Sequence, residues 1–406
     1  MRDGSMTAYL IEWLELIFRW LHLLVGVAWI GASLHYVKVD RSLEPDTKDA
    51  EIKGRFWAIH GGGIYQFTKY ELAPPQWPAV LHWSKWEAYS TWLTGMGLMV
   101  LVYYLRADVY LLSDALPGLS SAQAVMLSLG LIAGSVGLYE CLIRSPIAKR
   151  ETLFAGLIAL LISVLVLIAT QWFPGRAAFI HVGVILGSIM VGNVLFGIIP
   201  AQKAFVVAVK QGQAPNLPLT LLARQRSFFN NYLTLPVLFC MISLHFSSLY
   251  QHRYNFVGLV VLLLAGAVGR HFFNLRHLNI NRPRYLVLAV LAIVLVIGLM
   301  SPDLKDETVS GDKTTVPDLL ASTEIDQLAL KHCGNCHSMQ PTQPGFIAPP
   351  GGLVIADHQG LLKYRARSST AVGSGYMPLG NLTKMTPVER EQLMNFLWYA
   401  DLESNR

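Results

Sequence analysis

Apolar runs long enough to cross a bilayer recur along this chain from residue 9 to residue 301, and they constrain its fold more than any other feature. A hydrocarbon core of roughly 30 Å takes about 20 consecutive apolar residues per helix. The runs lie near residues 9–38, 86–105, 121–142, 153–173, 177–199, 228–250, 255–271 and 284–301, and read as eight membrane helices. Composition agrees: 53% of the 406 residues are hydrophobic and only 14% are charged, with mean hydropathy +0.42, outside the usual globular balance. The first run is long and carries Glu12, Glu15 and Arg19 near its start, so part of it is expected to project beyond the hydrocarbon. It is too long for a secretory leader and lacks a small-residue cleavage site, so it reads as an anchor.

The loops fix an expected orientation, because Lys and Arg collect on the cytoplasmic side. Loops 1–2, 3–4, 5–6 and 7–8 hold eighteen cations, including Lys38, Arg41, Arg144, Arg150, Lys210, Arg226, Arg270 and Arg284. The opposite loops hold three, Arg106, Arg176 and Arg253. Eight spans then put both termini outside, in a multi-pass protein of the bacterial inner membrane, embedded in lipid. The net charge of +6 follows from this asymmetry, and no nucleic-acid partner is needed to explain it.

Past the last span, the segment SPDLKDETVSGDKTTV (301–316) turns abruptly polar and reads as a tether, dividing a membrane domain (1–300) from a small soluble domain (317–406). That domain contains Cys333-Gly334-Asn335-Cys336-His337, the CxxCH pattern by which a c-type haem is attached. Cys333 and Cys336 would form thioethers, and His337 would ligate the iron. Met377-Pro378 offers a thioether as the sixth ligand, which raises the iron's potential and suits an electron acceptor. No further Cys pair is present to complete a zinc site. The turn Ala348 to Gly352 is placed to offer a carbonyl to the His337 ring, and Thr386-Pro387-Val388-Glu389 reads as a capped helix start. Leu319–His332 is expected to be helical and to pack on Leu393, Phe396, Leu397 and Ala400. Haem is attached outside the cytoplasmic membrane, which agrees with the loop charges. Cys141 and Cys240 lie in spans and read as packing residues.

Glu12, Glu15, Arg19, His22, Gly26, Trp29 and Ser33 share one face of the first helix, and such residues face a bundle or a cavity. His22, His181 and His245 fall at similar depth in the outer half of spans one, five and six, where they either hydrogen-bond between helices or hold a b-type haem between two imidazoles. At the cytoplasmic side, residues 56–92 are aromatic and rich in Gly and Pro, and read as a re-entrant or interfacial cap over a pocket. His60, His82, Glu87 and Glu140 are candidate bases on that side, with Arg270, Asn230 or Asn231 to bind carbonyl groups.

These residues resemble the membrane-bound bacterial urate oxidases (urate hydroxylases) that carry a fused cytochrome c. The resemblance rests on Trp20-Leu21-His22, Trp29-Ile30-Gly31, His60-Gly61-Gly62-Gly63, Ala73-Pro74-Pro75, Leu81-His82-Trp83 and Lys85-Trp86-Glu87-Ala88-Tyr89, then on Cys333–His337, Met377–Asn381 and Glu389-Arg390. Leu379 departs from it, standing where a second proline is expected. The resemblance implies an all-α membrane bundle with a cytochrome c, oxidising urate to 5-hydroxyisourate. Electrons would leave through the periplasmic haem c to a respiratory acceptor such as a soluble cytochrome c or a terminal oxidase. The residues by themselves leave open an electron-transfer subunit serving another dehydrogenase or a quinol donor, and a haem-handling membrane protein. The fused cytochrome argues against the last.

Overall fold

The computed structural model describes residues 2–113, 116–301, 322–343, 346 and 348–404. Beyond Ser301, the expected tether lies outside the described residues, as do the first residues of the helix expected from Leu319. Helices stand at all eight apolar runs: Arg2–Arg41, Trp86–Leu98, Ser121–Arg144, Glu151–Trp172, Gly175–Asn193, Leu217–Ser243, Asn255–Arg276 and Arg284–Leu299. Trp86–Leu98 runs on through a π-helical stretch, Met99–Tyr104, and Gly175–Asn193 runs through another, Val194–Ile198, into Ile199–Lys210. Five helices are long and apolar enough to cross a membrane: Tyr9–Arg41, Ser121–Arg144, Glu151–Trp172, Gly175–Lys210 and Asn255–Arg276. The other three fall short for different reasons. Trp86–Leu98 has 13 α-helical residues and Arg284–Leu299 has 16. Leu217–Ser243 has 27 but includes Arg224, Arg226, Asn230 and Asn231.

Gly175–Asn193 is the central helix. Almost every residue from Ala177 to Val194 is buried, as expected of a helix that is apolar all round. It packs on Leu217–Ser243, Glu151–Trp172 and Ser121–Arg144. Burying one large apolar side chain of this kind contributes about 1.5–3 kcal/mol. Cys240 is in this core, whereas Cys141 is exposed on the bundle surface. The polar face of the first helix meets Trp86–Tyr104, as its periodicity predicts. Glu15 pairs there with Arg106 as well as with Arg19.

The expectation of a wholly helical chain with a re-entrant cap needs correction at residues 52–70. This stretch is a two-stranded antiparallel hairpin, Ile52–His60 paired with Gly63–Tyr70, with His60 opposite Gly63. Gly61 (φ 57°) and Gly62 (φ 80°) form the two-residue turn, which needs positive φ at both positions to match the twist of the strands. Gly61 and Gly62 are thus explained by turn geometry, and Gly63 begins the second strand.

The C-terminal segment has its own core of Ile325, Ala329, Ile355, Leu361, Val372, Met385, Leu393 and Leu397. Helix Ser322–Ala329 packs on Pro387–Ser404, as the sequence predicts for Leu393 and Leu397; the Ala400 side chain lies outside the described set. Thr386 and Glu389 cap each other reciprocally, with backbone-to-side-chain bonds of 2.8 and 3.2 Å. This segment rests on the cation-poor end of the bundle. Tyr376 packs against Tyr250 and Ser374 bonds Gln251. Gly380, with φ 59°, lies so close to Val109 that a Cβ would stand 3.0 Å from its carbonyl oxygen.

Candidate functional site

The cation-rich end of the bundle contains polar side chains that apolar surroundings do not ordinarily admit. Arg226, Asn193, Asn230, Asn231, Arg270 and Asn274 are all buried, on Gly175–Asn193, Leu217–Ser243 and Asn255–Arg276. A charge in such a place costs several kcal/mol unless it is paired and hydrogen-bonded. Arg226 is paired. Its two terminal nitrogens donate to the two Glu140 oxygens at 2.7 and 2.8 Å, and one also donates to Asn193 Oδ1 at 3.0 Å. Asn193 Nδ2 donates to Asn230 Oδ1 at 2.8 Å, and Asn230 Nδ2 to the Met190 carbonyl at 2.9 Å. Tyr139 closes the network, its hydroxyl 3.0 Å from Asn193 Oδ1. Gly197 makes this possible: a Cβ there would stand 2.2 Å from Arg226 Cδ. It lies in the π-helical stretch that follows Asn193, a distortion often found at functional sites.

The adjoining half of the cluster is open. Arg270 Nε donates to Asn231 Oδ1 at 3.0 Å, but its Nη2 has no partner among the described residues. Asn231 Nδ2 and both amide atoms of Asn274 are buried and unpartnered in the same way. No carboxylate pairs with Arg270 among the described residues, and Arg41, which donates to the Asn274 carbonyl at 2.9 Å, brings a second positive charge. Glu87 Oε2 is buried without a partner too. Glu87 adjoins Ala88, which packs on Val191, Val194 and Ile199 around Asn193. Unpaired donors, a positive field and one free carboxylate oxygen suit an anionic ligand rich in carbonyl groups that gives up a proton.

The structure sorts the sequence candidates. Glu140, Arg270, Asn230 and Asn231 come together, with Glu87 one helix away. Glu140 is taken up as a counter-ion, since Arg144 Nε also reaches it at 2.5 Å. His60 ends a strand at the hairpin turn and His82 lies in the loop before Trp86, both exposed and outside the cluster. Arg226, Asn193 and Asn274 were not among the sequence candidates. Arg226 counted there only as a loop cation; Asn193 interrupts the apolar run 177–199, and that signal was available.

His22, His181 and His245 are not brought together. His22 Nδ1 lies 3.0 Å from the Thr91 carbonyl and its ring faces Gly95. His181 is fully buried, with Nδ1 donating to the Ala177 carbonyl at 2.6 Å, Nε2 2.7 Å from the Ser128 hydroxyl, and Phe173 stacked on its ring at 4.2 Å. His245 is exposed just past the end of its helix. Both ring nitrogens of His181 are engaged, so His181 as placed does not fit as a haem ligand.

Cys333, Cys336 and His337 lie where Ser322–Ala329 continues through a π-helical stretch, Leu330–Gly334, into a short turn, Asn335–His337. Both thiols are unpaired, and burial pushes Cys333 up to about 11 and Cys336 upward, so neither is a reactive thiolate. Burial also lowers the buried His337 imidazole below its ordinary value, against an opposing bond in which Nδ1 donates to the Leu353 carbonyl at 2.9 Å. That bond fixes the tautomer and leaves Nε2 for a metal, as second-sphere carbonyls do for ligating histidines. The accepting carbonyl comes one residue after the turn expected to supply it. A CxxCH haem fits these residues.

A family model described as urate oxidase N-terminal matches residues 8–301. The chain belongs to the urate oxidase N-terminal family. No curated protein and no solved structure gave a significant match to it. Membership in a urate oxidase family marks the chain as an oxidoreductase acting on a small molecule related to urate, and the matched range contains every residue of the buried polar cluster.

Proposed function

We propose that this protein oxidises urate to 5-hydroxyisourate at the buried polar cluster and passes the electrons to a haem c on Cys333 and Cys336. The buried Arg270 guanidinium, with no carboxylate partner among the described residues, carries the reading. Urate is a planar monoanion at neutral pH with carbonyl oxygens on both rings, and Arg270 Nη2, Asn231 Nδ2 and Asn274 Nδ2 are donors with no acceptor of their own among the described residues. Charge-assisted bonds of this kind contribute about 1.5–3 kcal/mol each. Glu87, with a buried carboxylate oxygen that has no partner among the described residues, takes the proton in this reading. The reaction adds water to urate and releases two electrons and two protons. His337 and Met377 would hold the iron of that haem, and the chemistry it would supply when bound is the acceptance of one electron at a time.

The eight helices all cross the membrane in this reading, with both termini and the C-terminal domain on the periplasmic side and the polar cluster near the cytoplasm. Support comes from the loop charges and from the contact of the C-terminal segment with the cation-poor end. A respiratory carrier, a soluble cytochrome c or a terminal oxidase, is the expected external acceptor. The deciding experiment adds urate anaerobically to the purified, oxidised protein. A reduced c-type spectrum with stoichiometric loss of urate is expected, and a spectrum that stays oxidised while urate is bound would remove the proposal.

A further inference from the structure

The contact between the C-terminal segment and the bundle contains two buried donors that nothing among the described residues satisfies. Arg176 opens the central helix and lies over the Tyr110 ring, 5.6 Å from its centroid. Tyr103 packs edge-on against the same Tyr110 at 5.6 Å and is 4% exposed. Arg176 Nε and the Tyr103 hydroxyl are both buried without a hydrogen-bond partner among the described residues. Each such group costs about 1–3 kcal/mol when left unmade, so two side by side call for a shared acceptor. Tyr250 and Tyr376 complete the surroundings of Arg176, with their rings 5.9 Å apart. Tyr376 belongs to the C-terminal segment and immediately precedes Met377. The stretch from Ser374 to Gly380, which holds that methionine, is the part pressed on the bundle through Gln251, Tyr250 and Val109.

We propose that the bundle completes the haem pocket: Arg176 and Tyr103 form a subsite for one carboxylate of the haem carried by the C-terminal segment. The inference rests on covalent haem at Cys333 and Cys336 with Met377 as ligand. A c-type haem keeps two carboxylates, which arrive wherever Met377 holds its iron. No carboxylate of the chain takes that place among the described residues, because Glu15 pairs with Arg106 and Arg19. A guanidinium N–H and a phenol O–H are matched to an ionised carboxylate in charge and in donor direction. Seating of the domain and the potential of its haem are then linked, since the cation that anchors the carboxylate also offsets its charge at the iron.

The test is a spectroscopic redox titration of the intact, purified protein, with covalent haem measured by in-gel peroxidase staining. Arg176→Gln and Tyr103→Phe are compared with wild type and with Arg282→Gln, an exposed residue at the other end of the bundle. Removing the cation leaves the carboxylate charge uncompensated and favours ferric iron. Arg176→Gln is therefore expected to shift the reduction equilibrium about tenfold toward the oxidised form, which is about 59 mV for one electron. Tyr103→Phe should shift it less in the same direction, and Arg282→Gln not at all. Arg176→Lys, which keeps the charge, should recover most of the loss and shows that the fold tolerates change at this position. A haem-loaded Arg176→Gln protein with the wild-type potential would overturn the subsite alone, the donors then being satisfied by water or a lipid phosphate. Wild-type protein without covalent haem would overturn the underlying reading as well.

Discussion

The two buried arginines at the cation-rich end of the bundle make an instructive pair. Arg226 is 0% exposed and spends both terminal nitrogens on Glu140, inside a network that ties Asn193, Asn230 and Tyr139 together; only its Nε lacks a partner among the described residues, and its charge is met by a carboxylate. Arg270 is 6% exposed, has one amide for a partner, and points another donor at nothing in the described chain. The first has the character of a structural fixture: its charge is neutralised, and Gly197 leaves room for its side chain where a Cβ would not. The second is held in place by Asn231 but left with unused capacity. A folded chain keeps an unpaired buried cation only where something else supplies the anion, so the two halves of one cluster separate scaffold from binding surface.

The largest effect should come from breaking the closed half. Glu140→Ala strands Arg226 as an uncompensated buried charge, at a cost of about 3–5 kcal/mol. Folded yield and detergent-phase thermal unfolding should both fall sharply, and Glu140→Gln combined with Arg226→Met should recover much of the loss. If Glu140→Ala instead leaves stability intact and removes only turnover, the halves have been assigned the wrong way round.

Arg270→Ala tests the open half. Urate affinity, measured by equilibrium dialysis, should weaken roughly ten- to a hundredfold, in keeping with one lost charge-assisted bond of about 1.5–3 kcal/mol, while folded yield stays near wild type. Unfolding as severe as that of Glu140→Ala would show that Arg270 is scaffold too.

Gly197→Ala sharpens the comparison at smaller scale. The added methyl meets Arg226 Cδ, so overpacking should cost about 1–3 kcal/mol, read in the thermal midpoint with urate affinity changed only through the fold. The smallest effect lies outside the cluster. Glu389 is held down to about 2, chiefly by the Lys331 ammonium and then by Thr386. Its pKa is lower folded than unfolded, so this contribution is present above about pH 4.3, the unfolded value, and fades as pH falls toward 2. Thr386→Ala should cost about 1 kcal/mol at neutral pH, confined to unfolding of the C-terminal segment, and the difference from wild type should narrow in acid.

Much of this was legible in the residues. Eight apolar runs became eight helices, the Thr386–Glu389 cap formed where its letters stand, and the His337 ring found its carbonyl next to the expected turn. The hairpin was misread because aromatic residues and glycines were weighed as interfacial character, when Gly61-Gly62 between two alternating strands is itself a turn signal. The hairpin puts His60 at its exposed turn, and His82 lies in the loop before Trp86. The depth argument for His22, His181 and His245 could not say which way each ring faces, because equal depth on three helices carries no such information.

The sequence by itself determined that the chain is mostly helical, with helices long and apolar enough to cross a membrane and a CxxCH segment after them, because apolar length and covalent motifs are local properties. The tertiary structure alone decided which polar residues share a site. Arg226 and Glu140 are 86 positions apart, and Arg270 and Asn231 are 39, and nothing in their neighbours marks one pair as closed and the other as open. That distinction belongs to hydrogen-bond geometry across helices, and it exists only once the helices have packed.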